Sequence, residues 1–351
     1  MILREMQAGE ERGLQFLALK SFWRSLESPV VSRPKTAMVA EKDGKIIGGF
    51  LYSIENSGKN KLGFIDFFFV DSAHAGQGVG GALCKNGVAH MWAQGCDYLM
   101  TFVRDDNVGS WAAFEKSGFT RVGLPEFTRA VGIGGLIRTN INHAYGLSMG
   151  CNLYFATQNE TTSVAHTKGF GFGQLILHFI VRTVLVLVAG LFAIPDFLSE
   201  LPRLILSVAI VFGGVMLFTY IGTLFSRRGW KYQMTTGGGM LSLIAPLLGV
   251  FIPIAGGFCP EKYENTAKFR RDMAMTAILP WVFLIALMPI LRSFDFAFLH
   301  SGIMTNIALI LLIFRCVPWH SANLGSSRIF HWNLILWILM VVATLVVLFI
   351  F

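Results

Sequence analysis

The chain has 351 residues, a length that suits two domains. Hydrophobic residues make up 54% and charged residues 14%, well under the roughly 25% of soluble proteins, which excludes a water-soluble globule throughout. Residues 1–150 hold 16 Lys/Arg and 14 Asp/Glu while 151–351 hold 13 and 7, so most of the net +8 lies in the apolar half, where it points to cytoplasmic membrane loops and not to nucleic acid.

The opening MILREMQAGEERG has no apolar core followed by a small-residue cleavage site, so no signal peptide is expected. Ile2–Met6 reads as a strand, and Ala8–Trp23 has helical spacing through Leu14, Leu17, Ala18 and Phe22. Thr36–Glu41 and Lys45–Ile54 read as strands joined at Lys42-Asp43-Gly44, an Asp-Gly turn. Lys61–Val70 is a further strand, and Gly78–Gln94 a helix stopped by Gly95. Asp97–Val103 (strand), Val108–Ser117 (helix) and Phe119–Val122 (strand) follow, which together give a mixed sheet with crossover helices, of α/β or α+β type. Residues 156–171 are polar and Gly-containing and read as a linker between a domain at 1–155 and a membrane domain at 172–351.

Beyond the linker, Leu175–Ile194, Leu204–Phe225, Met273–Leu291, Phe296–Phe314 and Asn333–Phe351 are apolar runs near the roughly 20 residues a spanning helix needs. Thr235–Cys259 differs. Its glycines 237, 238, 239, 249, 256 and 257, with Pro246 and Pro253, suit a straight helix poorly. Cys84, Cys96, Cys151, Cys259 and Cys316 are scattered without CxxC spacing, so free thiols are expected, with neither disulfide framework nor metal site.

Phe67–Gly81, FFFVDSAHAGQGVGG, carries the chemistry. An apolar strand ends at Val70-Asp71, and Gly76-Gln77-Gly78-Val79-Gly80 leads into a helix. Glycines let backbone approach a phosphate, and a helix start aims free N–H groups at it. A Rossmann reading would want these glycines after the first strand, with an acid about 20 residues on; here they follow the fourth strand.

This arrangement resembles the GNAT acetyltransferase family, whose phosphate loop follows strand four as (Arg/Gln)-x-x-Gly-x-(Gly/Ala). Here the stretch reads Ala75-Gly76-Gln77-Gly78-Val79-Gly80, and a second matching element, Asn107-x-x-Ser110-x-x-x-Phe114-x-x-x-Gly118-Phe119, follows about 30 residues later. The resemblance covers 1–155. It implies an α/β acyltransferase domain of mixed twisted sheet with helices and acetyl-CoA as co-substrate; the apolar runs beyond it add a fused all-α membrane bundle. By resemblance, the amides of Gln77, Gly78, Val79, Gly80 and Gly81 would hold the CoA diphosphate, Val70 would pair with the pantetheine arm, and Asn107 and Ser110 would contact that arm. An amine would attack the thioester directly, with backbone amides near strand four polarising the carbonyl. Ala75 replaces a phosphate donor, and Phe114 stands where many members carry a tyrosine acid. Tyr98 on the next strand is the substitute candidate. Asp66 takes the position of a glutamate base in several members, or is a strand carboxylate facing solvent or an arginine. Asp71 reads as a turn residue, and His74 as a contact to solvent or CoA.

With acetyl-CoA in the cytosol, the N-terminal domain is expected inside. If Thr235–Cys259 spans, four basic loop residues lie inside and seven outside; if it enters and returns, nine lie inside and only Arg203 and Arg292 outside. The positive-inside rule then favours five spanning helices, one re-entrant segment at 235–259 and an outside C-terminus, the alternative being a kinked spanning helix. His178 and Arg182 lie four apart on the first span, where they form a polar site or Arg182 snorkels or pairs within the fold. Leu217–Asn333 resembles in layout the membrane core of site-2 proteases, but no HExxH occurs and Leu324 replaces the family Asp, so neither metal nor proteolysis is expected.

The function expected is a membrane-anchored N-acetyltransferase acting on an amine near the membrane surface, with membrane lipid and membrane-complex subunits as the candidate partners. The alternative is a degenerate acyltransferase serving as a structural or regulatory subunit of a membrane complex. A transport role would rest on Arg182 and the re-entrant run.

Overall fold

The computed structural model describes residues 1–22, 33–57, 60–104, 107–143, 148–158, 171–235, 237–260, 264, 266–294, 296–318 and 324–350. The chain divides into two compact units, Met1–Ala144 with Cys151–Lys168, and Tyr145–Gly150 with Gly169–Phe351.

The first unit runs β1 (Ile2–Glu5), α1 (Glu11–Phe22), β2 (Ala37–Lys42), β3 (Lys45–Ser57), β4 (Asn60–Val70), α2 (Val79–Ala93), β5 (Tyr98–Arg104), α3 (Val108–Lys116), β6 (Thr120–Val122), α4 (Leu124–Asn142) and β7 (Cys151–Thr157). Its seven strands lie in the order β1-β2-β3-β4-β5-β7-β6. Neighbours are antiparallel except β4 and β5, which are parallel and therefore need the crossover α2. Asp43 and Gly44 both take positive φ, 52° and 72°, which is the tight turn the Asp-Gly pair specifies. Leu14 and Ala18 of α1 pack with Val39, Leu51 and Phe69. Leu83, Val88 and Met91 of α2 pack with Phe50, Ile65 and Leu99. Gly87 lets α2 settle on the sheet, since a Cβ there would lie 2.6 Å from the Phe50 ring.

Two elements escape the sequence reading. α4 fills the chain after β6 and bends at Gly132, whose φ of 73° and ψ of 171° break the helix. β7 then enters between β5 and β6 and extends to Thr157, into the range read as linker; residues 159–170 of that range lie outside the described residues.

The second unit contains α5 (Phe172–Ala193), α6 (Phe197–Thr223), β8 (Trp230–Met234), α7 (Gly239–Ile244), β9 (Gly256–Pro260), α8 (Ala267–Ser293), α9 (Ser301–Cys316), α10 (Ser326–Trp332) and α11 (Leu334–Ile350). Of these, α5, α6 and α8, with 22, 27 and 27 residues, are long and apolar enough to cross a membrane; α9 and α11 have 16 and 17. The core centres on fully buried Trp281, whose Nε1 donates to the Thr344 hydroxyl at 2.8 Å. Strands β8 and β9 pair antiparallel from Trp230↔Pro260 to Met234↔Gly256, so the glycine-rich run between them leaves and returns at one place. The predicted helix from Phe296 starts instead at Ser301, where the His300 ring nitrogen Nδ1 accepts from the Ile303 amide.

Candidate active site

The glycine loop lies at the end of β4. Asp71 closes that strand: its backbone N–H donates to the Ile47 carbonyl and its side chain accepts from the Ala73 amide at 3.1 Å. A short 3-10 turn, Ser72–His74, follows. Gly76 and Gly78 take φ of +79° and +78°, left-handed conformations that glycine adopts without strain, and Gly78 begins α2. No side chain caps this helix, so the amides of its first turn keep no intrahelical partner. Gln77, Gly78 and Gly81 are exposed, and a Cβ on Gly76, Gly78 or Gly81 would meet nothing within 4 Å. The result is an open cluster of N–H groups at the positive end of a helix dipole, suited to an anionic group.

Next to the loop the sheet opens. The β4–β5 ladder runs only from Leu62↔Tyr98 to Ile65↔Thr101, whereas β4 continues to Val70 paired with β3. The opening starts at a bulge. Phe67 faces Leu51 and Ile65 faces Tyr52, which leaves Asp66 as the extra residue. Asp66 and Val70 lie roughly 13 Å apart along the strand. A ligand with its diphosphate on the loop and its reactive end at Asp66 must therefore lie extended along the second half of β4.

The Asp66 side chain is 35% exposed, with the His143 ring nitrogen Nδ1 at 4.0 Å. Burial raises its pKa to about 7; Ser53 pulls against the shift and the charge of Glu55 adds to it. His143 is stacked on Phe64 at 3.6 Å, with Nε2 3.5 Å from Glu55. Burial pushes its pKa down, with Glu55 opposing. Asn142 donates to Glu55 at 3.0 Å, and Arg138 donates to the Asn56 carbonyl, which ties the end of α4 to β3. His143 and Glu55 were not among the candidates read from sequence, because nothing local marks a histidine that reaches Asp66 only through the fold.

The remaining candidates divide. Val70 ends β4 opposite Gly48. The Asn107 side chain caps α3 by accepting from the Ser110 amide at 3.4 Å, so its oxygen is engaged in holding the helix. Phe114 is 2% exposed and packs edge-on against Phe68 and Phe119. The structure does not bring Tyr98 to the opening: it starts β5, four positions back along the ladder from Asp66, and stacks on Phe155 at 5.3 Å.

Residues 5–119 match the Acetyltransferase (GNAT) family. They form a GNAT acetyltransferase domain. Enzymes of this family use acetyl-CoA, and the fold supports acyl transfer in general. The match ends before α4 and β7, and the layout likeness to site-2 proteases finds no support in it. Solved structures similar to this part include GCN5 of Tetrahymena (19% identity, 45% of this chain and 97% of that one, TM-score 0.35). Ard1 of Thermoplasma volcanium is another (19%, 45% and 98%, TM-score 0.31), as is Rv2747 of Mycobacterium tuberculosis, solved with CoA (16%, 45% and 100%, TM-score 0.33). No curated protein matches the chain.

Proposed function

We propose that the chain is a membrane-anchored N-acetyltransferase that moves an acetyl group from acetyl-CoA to an amine near the membrane surface. The observation that carries this reading is the alignment, along one strand end, of an open amide loop and a carboxyl with a pKa near 7. The amides of Gln77 to Gly81 hold the diphosphate, and β4 up to Val70 guides the extended arm. The neutral amine nitrogen bonds to the acetyl carbon while Asp66, ionised, takes the proton that this nitrogen gives up; the C–S bond breaks and CoA leaves as a thiolate. Phe114 has no proton to give and Tyr98 is distant, so water protonates the sulfur; a thiolate tolerates this as a leaving group. His143 and Glu55 lie beside Asp66, where the Glu55 carboxylate can draw in an amine that sheds its extra proton to solvent before it attacks.

Several features support the membrane setting. In the second unit Leu198 and Phe349 are 79% and 85% exposed while His178, Arg182 and Asp272 are buried, the reverse of a water-soluble protein. With α9 and α11 as short spans, the bundle has five crossings and a re-entrant segment at 235–259, whose return is supported by the β8–β9 pairing. Arg315 and Arg328 are buried and drop out of the loop count. This leaves seven basic residues inside against two outside, and four against five for the spanning alternative. Helix α4, which ends at the site, exposes Ile133, Ile137 and Ile141 one turn apart, a stripe suited to a lipid surface.

The test is acetyl transfer by the full chain in vesicles containing an aminophospholipid or a membrane-anchored peptide amine. Transfer by the wild type and its loss in Asp66→Asn support the proposal; no consumption of acetyl-CoA with either acceptor refutes it. Buried Phe114 and the missing donor at Ala75 favour a second reading, a binding or regulatory subunit, which predicts acetyl-CoA binding without turnover.

A further inference from the structure

Helix α4 delivers one imidazole ring to the edge of the β4 opening. His143 caps the C-terminus of this helix, its backbone N–H donating to the Thr139 carbonyl at 3.1 Å. Two bonds to β3 fix this end: Arg138 donates to the Asn56 carbonyl, and Asn142 Nδ2 donates to Glu55 Oε2 at 3.0 Å. The ring then lies on Phe64, with centroids 3.6 Å apart and planes inclined by 19°. Only 6% of the His143 side chain is exposed. Its two nitrogens face two carboxylates. Nδ1 is 4.0 Å from Asp66 Oδ1, and Nε2 is 3.5 Å from Glu55 Oε1, the oxygen that Asn142 leaves open.

Nε2 is buried and makes no hydrogen bond among the described residues. A polar group left so costs about 1–3 kcal/mol. The same surroundings favour the ring once it is cationic, with a carboxylate at each nitrogen and an aromatic face beneath. Burial holds the ring below the ordinary histidine pKa while Glu55 pulls the other way, so the ring is neutral at rest and one proton from charging. The gaps to Asp66 and Glu55 exceed a hydrogen bond by about 1 Å or less, and catalytic contacts often close when substrate binds. Among the described residues, the charged groups facing the ring are Asp66 on β4 and Glu55 on β3; Arg138, on its own helix, is turned to the Asn56 carbonyl.

We propose that His143 is a positioning residue for acetyl transfer, taking from Asp66 the proton that the amine gives up and holding it between the Asp66 and Glu55 carboxylates until the product leaves. The proposal rests on Asp66 as the base. Glu55 keeps the resting proton on Nε2, which leaves Nδ1 bare towards Asp66. In the step, the Asp66 Oδ1–H bond breaks and an Nδ1–H bond forms; neutral imidazole becomes imidazolium and the carboxyl returns to carboxylate. Water that replaces the acetylated product beside the partly exposed Asp66 carries the Nδ1 proton away and restores the neutral ring.

Exchange of the ring Cε1 hydrogen for deuterium, followed across pH by peptide mass spectrometry on the full chain in detergent, reads the pKa of His143. It should fall by at least about half a pH unit in Asp66→Asn and in Glu55→Gln, with the His300 ring unmoved as reference. Turnover should drop at least about tenfold in His143→Gln with KM for acetyl-CoA unchanged, and added imidazole should restore part of it in His143→Ala but not in His143→Gln. A ring that only packs on Phe64 would titrate alike in all three proteins. That result, or a folded His143→Gln with wild-type turnover, overturns this role alone. A wild type that consumes no acetyl-CoA overturns the enzyme reading and this role with it. Should His143→Gln not fold, the exchange measured in Asp66→Asn decides.

Discussion

Asp66→Asn separates what Asp66 does for catalysis from what it does to stability. The folded protein holds the Asp66 proton up to a pKa of about 7, against an ordinary 3.8. Between those values the folded state binds a proton that the unfolded chain has lost. The contribution of this group to stability therefore falls as pH climbs from 3.8 towards 7, and the penalty is complete above 7. At about 1.36 kcal/mol per pH unit the rise sets a ceiling of about 4 kcal/mol. With the side chain 35% exposed, solvent screening brings this to about 1–2 kcal/mol. Asparagine cannot ionise, so the variant should be more stable than the wild type by about that amount at pH 8 and equal to it near pH 4. The same change removes the proposed base and should lower turnover by about 10²–10⁴. Wild-type activity should rise with pH through an inflection near 7 and then level off. Hydrogen exchange of the β3 and β4 amides in the full chain, corrected for intrinsic rates, measures the first effect, and acetyl transfer measures the second. A variant with wild-type turnover, or one no better protected at pH 8, would refute the role given to this carboxyl.

Gly81→Asp places an acid on an exposed first helical turn with free space around its Cβ. It should leave stability equal or raise it by about 0.3–1 kcal/mol, yet raise KM for acetyl-CoA by at least about tenfold by repelling the diphosphate; a drop in melting temperature with unchanged KM would count against the loop. Gly222→Val should destabilise the helical unit by about 1–3 kcal/mol, because a Cβ there lies 2.6 Å from the Met275 carbonyl oxygen and 2.7 Å from the Thr276 Cα; thermal unfolding in detergent checks this. Arg203→Cys should react with a membrane-impermeant maleimide added outside and Arg227→Cys should not, and the opposite pattern would reverse the proposed topology.

Local chemistry made much of the first unit legible. The Asp43-Gly44 turn, Gly95 at φ +79° after α2, and the glycines that open α2 each act within a few residues of themselves. The parts that were missed depend on distance or on environment. α4 hides because Gly132 interrupts it and because its isoleucines face outward, which erases the usual polar-out signal. The bulge at Asp66 lies in an unbroken apolar strand, where sequence alone sets no register. The Asp66–His143 approach joins residues far apart in the chain, and the position of Tyr98 was hidden for the same reason, since only the ladder reveals that it starts β5 away from the opening. In the second unit Arg315 and Arg328 read as loop charges, although the fold buries both.

The most direct test of the account is a calorimetric titration of the full chain with acetyl-CoA. It predicts one saturable site with about micromolar affinity in the wild type, lost in Gly81→Asp. Absence of binding in a folded wild-type sample would contradict the claim that the open amides at the start of α2 receive the diphosphate of CoA.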